Sequence, residues 1–75
     1  MTPREQQIYD ALIATFPSAE IQITDTAGDQ DHFRIAIQHP DFTGLSRIAQ
    51  QRAVFNALGP LGQEIHAIEY QIKGE

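Results

Sequence analysis

Asp41–His66, DFTGLSRIAQQRAVFNALGPLGQEIH, reads as a tight turn, one amphipathic helix, a Gly/Pro break and the start of a strand. Phe42-Thr43-Gly44 has turn chemistry, and Ser46 is placed to cap the helix that follows. On a helical wheel Ile48, Gln51, Val54, Phe55 and Leu58 share one side, with Arg47 and Gln50 pointing elsewhere and Arg52 near the edge. The long amide of Gln51 is thereby expected among apolar neighbours. Gly59-Pro60-Leu61-Gly62 is read as the helix stop, because a glycine ends the turn and a proline cannot continue it. A strand is then expected from Ile65 to Lys73, with His66, Ile68, Tyr70 and Ile72 on one face and Ala67, Glu69 and Gln71 on the other.

The residues before this stretch supply the remaining elements. Thr2-Pro3-Arg4-Glu5 has the residues of a capping box with proline at the first helical position. Ile8, Ala11, Leu12, Thr15 and Phe16 follow at helical spacing, with Tyr9 and Ile13 widening the stripe, and Pro17 ends the helix. Glu20–Thr24 alternates polar and apolar residues, as do Phe33, Ile35 and Ile37 against Arg34, Ala36 and Gln38. The turn-forming loop Asp25–Asp31 joins these runs into an antiparallel hairpin, which His39-Pro40-Asp41 stops. The expected fold class is α+β, in the order α-β-β-α-β, with both helices on one face of a three-stranded sheet. The last strand is expected to pair with one hairpin strand and to leave at least one edge open.

Seventy-five residues make a single domain, 1–75, with a thin core and no room for a deep substrate cleft. The absence of cysteine excludes disulfides, a cysteine nucleophile and a cluster held by this chain's own thiolates. No run approaches a membrane span and MTPREQQIYD lacks a signal-peptide pattern, so the expected location is cytoplasmic. A net charge of −5 opposes general attraction to nucleic acid or anionic membrane. The charge is unevenly spread. Glu20, Asp25, Asp29 and Asp31 carry all the charge from Glu20 to Asp31, whereas Arg47 and Arg52 carry all of it from Gly44 to Gln63. Ser46 has no base beside it in sequence, and no phosphate-binding glycine loop or HExxH spacing occurs, so an enzyme is not expected.

Asp31-His32-Phe33, Phe42-Thr43-Gly44-Leu45-Ser46-Arg47, Val54-Phe55-Asn56-Ala57-Leu58 and Ile65-His66-Ala67-Ile68 together resemble the BolA/IbaG family. The resemblance runs over essentially the whole chain, and it implies a type II KH-like fold. It also implies a non-catalytic protein that partners a monothiol glutaredoxin and shares a bridged 2Fe–2S cluster, in iron–sulfur trafficking or iron regulation. In that role His66 corresponds to the ligand histidine that opens the last strand. The family's second ligand is usually a Cys or His in the loop between the first two strands. Here that loop offers Asp29, Gln30 and Asp31, with His32 at its end as the nearest imidazole. Gln51 stands where members often carry a histidine, and the C-terminal tail is short.

One imidazole cannot hold a cluster alone, so external thiolates from glutaredoxin and glutathione are required. With no partner, no cofactor is expected, and the chain is expected to be a monomer or weak homodimer. His32 and His66 have no motif spacing, and only strand placement could bring them together. His39, before a proline, is given no role. Other members are described as DNA-binding transcriptional regulators, and the alternative reading places Arg47 and Arg52 on phosphates from a KH-like or helix-turn-helix surface. The turn Gly44-Leu45-Ser46-Arg47 lacks the second glycine of a GxxG loop, and no basic patch is interleaved with exposed aromatics.

Overall fold

The capping box at the N-terminus forms as expected. In the computed structural model, which describes residues 2–74, the Thr2 hydroxyl accepts from the Glu5 N–H at 3.3 Å, and the Thr2 N–H donates to Glu5 Oε1 at 2.8 Å. The bond from the Thr2 N–H is the main reason the Glu5 carboxyl is held below its ordinary value, with the Thr2 side chain adding to it. Helix α1 spans Pro3–Thr15, and Phe16 caps it just before Pro17. Ile8, Leu12 and Phe16 are buried on one side of the helix.

Strands β1 (Glu20–Asp25) and β2 (His32–Gln38) form the antiparallel hairpin, with Ile23 opposite Ile35. Strand β3 (Ala67–Lys73) lies on the other side of β2 and runs parallel to it, so the sheet order is β1-β2-β3. Register pairs Phe33 with Ile68, Ile35 with Tyr70 and Ile37 with Ile72. This stacks one apolar row across the sheet, and the helices pack on it. The core unites Ile8, Leu12 and Phe16 of α1 with Phe33, Ile35 and Ile37 of β2, Phe42, Ile65, and Val54 and Leu58 of α2.

Helix α2 is Arg47–Leu58, and the Ser46 hydroxyl accepts from the Ala49 N–H at 3.1 Å. Its orientation differs from the helical-wheel expectation. Val54 and Leu58 are buried, with Ala53 and Ala57 packed beside them, but Ile48 is 63% exposed and Phe55 37%. Gln50, expected to face away, is half-buried, and its Nε2 donates to the Phe42 carbonyl at 3.0 Å. The helix is turned so that its small residues face the core, where two alanines permit close approach. Phe42 is buried in the same core, its ring 5.0 Å from that of Phe16.

Two connections also differ. Phe42 belongs to a 3-10 turn, Pro40–Phe42, that His39 caps by accepting from the Asp41 N–H on Nδ1. The His39 ring packs 5.3 Å from Phe16, so this histidine has a structural role. The Gly/Pro stretch does end α2, since Gly59 adopts φ +60°. However, Pro60 then starts a short helix α3, Pro60–Glu64, in the position where a missing N–H costs nothing. Consequently β3 begins at Ala67 instead of Ile65. Ile65 is buried as the α3 cap, and His66 is the exposed link between that cap and the strand.

Candidate functional site

The β1–β2 loop is built on one carboxylate. Asp25 Oδ1 accepts from the N–H groups of Ala27, Gly28 and Asp29, the shortest bond being 2.8 Å to Gly28, and Oδ2 accepts from Gln30 at 2.7 Å. Gly28 (φ +73°) and Gln30 (φ +58°) take the left-handed conformations that let the backbone curl around it. An acidic loop of exposed residues thus gains a defined shape from its own acid.

That shape delivers Asp29 to His32. Asp29 Oδ2 lies 2.8 Å from His32 Nδ1, while Oδ1 accepts from the Asp31 N–H at 2.9 Å and the His32 N–H at 3.2 Å. The backbone bond from Asp31 is the main reason the Asp29 carboxyl is held below its ordinary value, with His32 adding to it. At neutral pH Asp29 is therefore a carboxylate and accepts only. The proton of a neutral His32 imidazole then sits on Nδ1, which leaves the Nε2 lone pair free. Carboxylates orient metal-binding histidines in this way, fixing the tautomer and raising the donor strength of the other nitrogen.

Asp31 performs the second positioning step. Its Oδ1 accepts from the His66 N–H at 2.8 Å, and its backbone carbonyl accepts from the Ala67 N–H at 3.2 Å. One residue just before β2 thus clamps the residue before β3 and the first residue of β3. The parallel register, which sets His32 beside Ala67, continues from this clamp. As a result the imidazoles of His32 and His66 lie side by side, with centroids 5.0 Å apart and planes inclined by 46°. His66 is exposed and the His32 side chain is 39% exposed, so both face solvent at one end of the sheet.

Two solvent-facing imidazoles this close place two ring-nitrogen donors at one end of the sheet. Among the described residues no group of three or more His, Cys, Asp or Glu is arranged to hold a metal ion. The pair can supply at most two nitrogen ligands, so any metal it binds needs further ligands from outside this chain. Asp29 and Asp31 are engaged in orienting the histidines and the strand.

Arg47 and Arg52 are both exposed and join no ion pair among the described residues. Five residues apart, they stand about 140° apart around the helix. Arg47 turns toward a groove beside β3, which Arg52 does not line. The structure does not bring them together as one phosphate-tracking stripe. Gln51, half-buried, also lines that groove. Sequence reasoning missed Asp31 as a clamp and Asp29 as the histidine's partner. The only signal was their place beside His32.

Comparison with known proteins agrees with this architecture. A family model described as BolA-like protein matches residues 12–75. An uncharacterized protein of Rickettsia prowazekii (strain Madrid E) is 42% identical over 64 residues, covering 84% of this chain and 83% of the relative. The NMR structure of a BolA-like hypothetical protein from Rickettsia prowazekii superposes with a TM-score of 0.74 at 36% identity, covering 97% of this chain and 94% of that one. BolA1 from Arabidopsis thaliana superposes with a TM-score of 0.81, over 97% of this chain and 93% of its own, and at 24% identity it speaks for the fold alone. An α+β chain with a three-stranded mixed sheet, matched by that family model along most of its length, belongs to the BolA family.

No helix among the described residues is long and apolar enough to cross a membrane.

Proposed function

We propose that this chain is a non-catalytic accessory protein that partners a monothiol glutaredoxin and shares a bridged 2Fe–2S cluster with it, in iron–sulfur trafficking or iron regulation. The observation that carries the reading is the adjacency of His66 and His32, 5.0 Å apart at the exposed end of the sheet. His66 is the principal ligand and His32 the second, each offering a neutral imidazole nitrogen. Paired imidazoles replace thiolates on one iron of Rieske-type centres, so the donor set is chemically sound. The thiolates come from glutaredoxin and glutathione, since this chain has no cysteine. This chain's own contribution is geometric. Asp29 holds His32 in one tautomer, and Asp31 holds His66 beside it.

The test is a titration of cluster-loaded monothiol glutaredoxin with this protein in the presence of glutathione, followed by visible circular dichroism. The expected result is a new cluster spectrum that His66→Ala abolishes and His32→Ala alters. A glutaredoxin spectrum that stays unchanged, or that changes equally with His66→Ala, rules the reading out.

A further inference from the structure

The groove between α2 and β3 is not used by the histidine pair, which lies at the other end of the strand. β3 forms its ladder with β2 alone, so the N–H and C=O groups along its outer edge have no strand beside them. No side-chain hydrogen bond among the described residues covers that edge either. The groove runs along it with a volume of about 320 Å³ and is lined by Arg47, Gln50 and Gln51 from α2 and by Tyr70, Ile72 and Lys73 from β3. Tyr70 and Ile72 point to the core side of the sheet and Lys73 to the other, so the space straddles the strand edge. An added strand needs this arrangement, with open backbone in the middle and side-chain sites on both sides.

Charge selects the occupant. In a chain of net charge −5, Arg47 and Lys73 both line this groove and neither joins an ion pair among the described residues. The opposite edge strand, β1, begins at Glu20, ends at Asp25 and leads into the acidic loop. We propose that the α2–β3 groove binds an extended, acidic segment of a partner protein, which adds to β3 as a fourth strand and sets its carboxylates against Arg47 and Lys73. A peptide fits better than nucleic acid. The edge offers backbone hydrogen bonds a polynucleotide cannot match in register, and two cations are too few to neutralise a phosphate chain against a charge of −5. A second copy of this chain would bring no acidic strand edge except β1, and β3-to-β1 pairing does not close into a dimer.

The experiment is an amide NMR titration of the 15N-labelled protein with a short synthetic peptide alternating glutamate and valine. A lysine–valine version serves as control. The expected result is shift changes and slowed amide exchange confined to Ala67–Lys73 and the first turns of α2, absent with the lysine peptide. Affinity should fall roughly tenfold in the Arg47→Glu/Lys73→Glu variant, from the loss and reversal of two surface pairs. Arg47→Glu alone, on the exposed first turn, gives a smaller loss of the same kind and serves if the double variant does not fold. Several outcomes overturn the proposal: no shifts, shifts outside the groove, or equal binding of the lysine peptide. So would displacement of the peptide from these amides by a single-stranded oligonucleotide. Concentration-dependent β3 shifts without any peptide would assign the edge to self-association instead and equally overturn it.

Discussion

Replacing Asp31 by alanine removes the clamp that sets His66 beside His32. The lost interaction is a single 2.8 Å bond from the His66 N–H to a carboxylate oxygen, while the 3.2 Å bond from the Ala67 N–H to the Asp31 carbonyl survives. A bond to a charged acceptor can contribute roughly 1.5–3 kcal/mol, but this one is solvent-exposed and water can replace it, so about 1 kcal/mol is the reasonable cost. For a 75-residue domain that lowers the melting temperature by about 5 °C. The local effect is larger than the global one. With its N–H released, His66 is tethered only by the Ile65 cap before it and the strand after it, and its ring is free to leave His32. NOEs between the two imidazoles, expected at a centroid separation of 5.0 Å, should weaken sharply in Asp31→Ala and survive in Asp31→Asn, which keeps an acceptor oxygen. Unchanged ring-to-ring NOEs in Asp31→Ala would refute the clamp, whatever the melting temperature does.

Other consequences follow from the same structure. Leu12→Ala leaves a cavity in a fully buried site and should cost about 2–5 kcal/mol, enough to unfold much of a domain this small, as read by urea denaturation. Gly62→Ala would put a methyl 2.8 Å from the Phe55 ring, so in denaturation experiments the roughly 1 kcal/mol that alanine ordinarily gains over glycine in a helix should be largely cancelled, and Phe55→Ala in the same chain should restore it. Because the folded-state pKa of Asp29 lies below its ordinary value of 3.8, its contribution to loop order is present above that value and is lost as pH falls through the lower, folded-state one. Amide exchange and shifts at Asp31 and His32 should report this loss in acid, and Asp29→Asn should remove that part of the acid transition.

Local patterns were legible in the sequence, and orientations were not. The Thr2/Glu5 box and the alternation of Phe33, Ile35 and Ile37 are short-range, and both form where the sequence places them. The facing of α2 depends on what packs against it. A helical wheel groups Ile48 with Val54 and Phe55 but cannot register that Ala53 and Ala57 allow the closer approach, or that Gln50 has a carbonyl partner eight residues back at Phe42. Pro60 was legible as a break but not as the first residue of α3, because the same lack of an N–H serves both. At the site, His66 was singled out through the family resemblance, and His32 as the imidazole nearest the loop. Their adjacency was invisible because it depends on the parallel β2–β3 register and on an Asp31–His66 bond spanning 35 residues.

The central claim is that this chain supplies imidazole nitrogen to a cluster whose thiolates come from elsewhere. Pulsed EPR on the reduced, mixed complex tests it most directly, with this protein alone carrying 15N-histidine and the glutaredoxin unlabelled. The account predicts nitrogen modulation that changes from a 14N to a 15N pattern on labelling and is lost with His66→Ala. A signal with no histidine-derived nitrogen coupling, or one indifferent to the label and to His66, would contradict it.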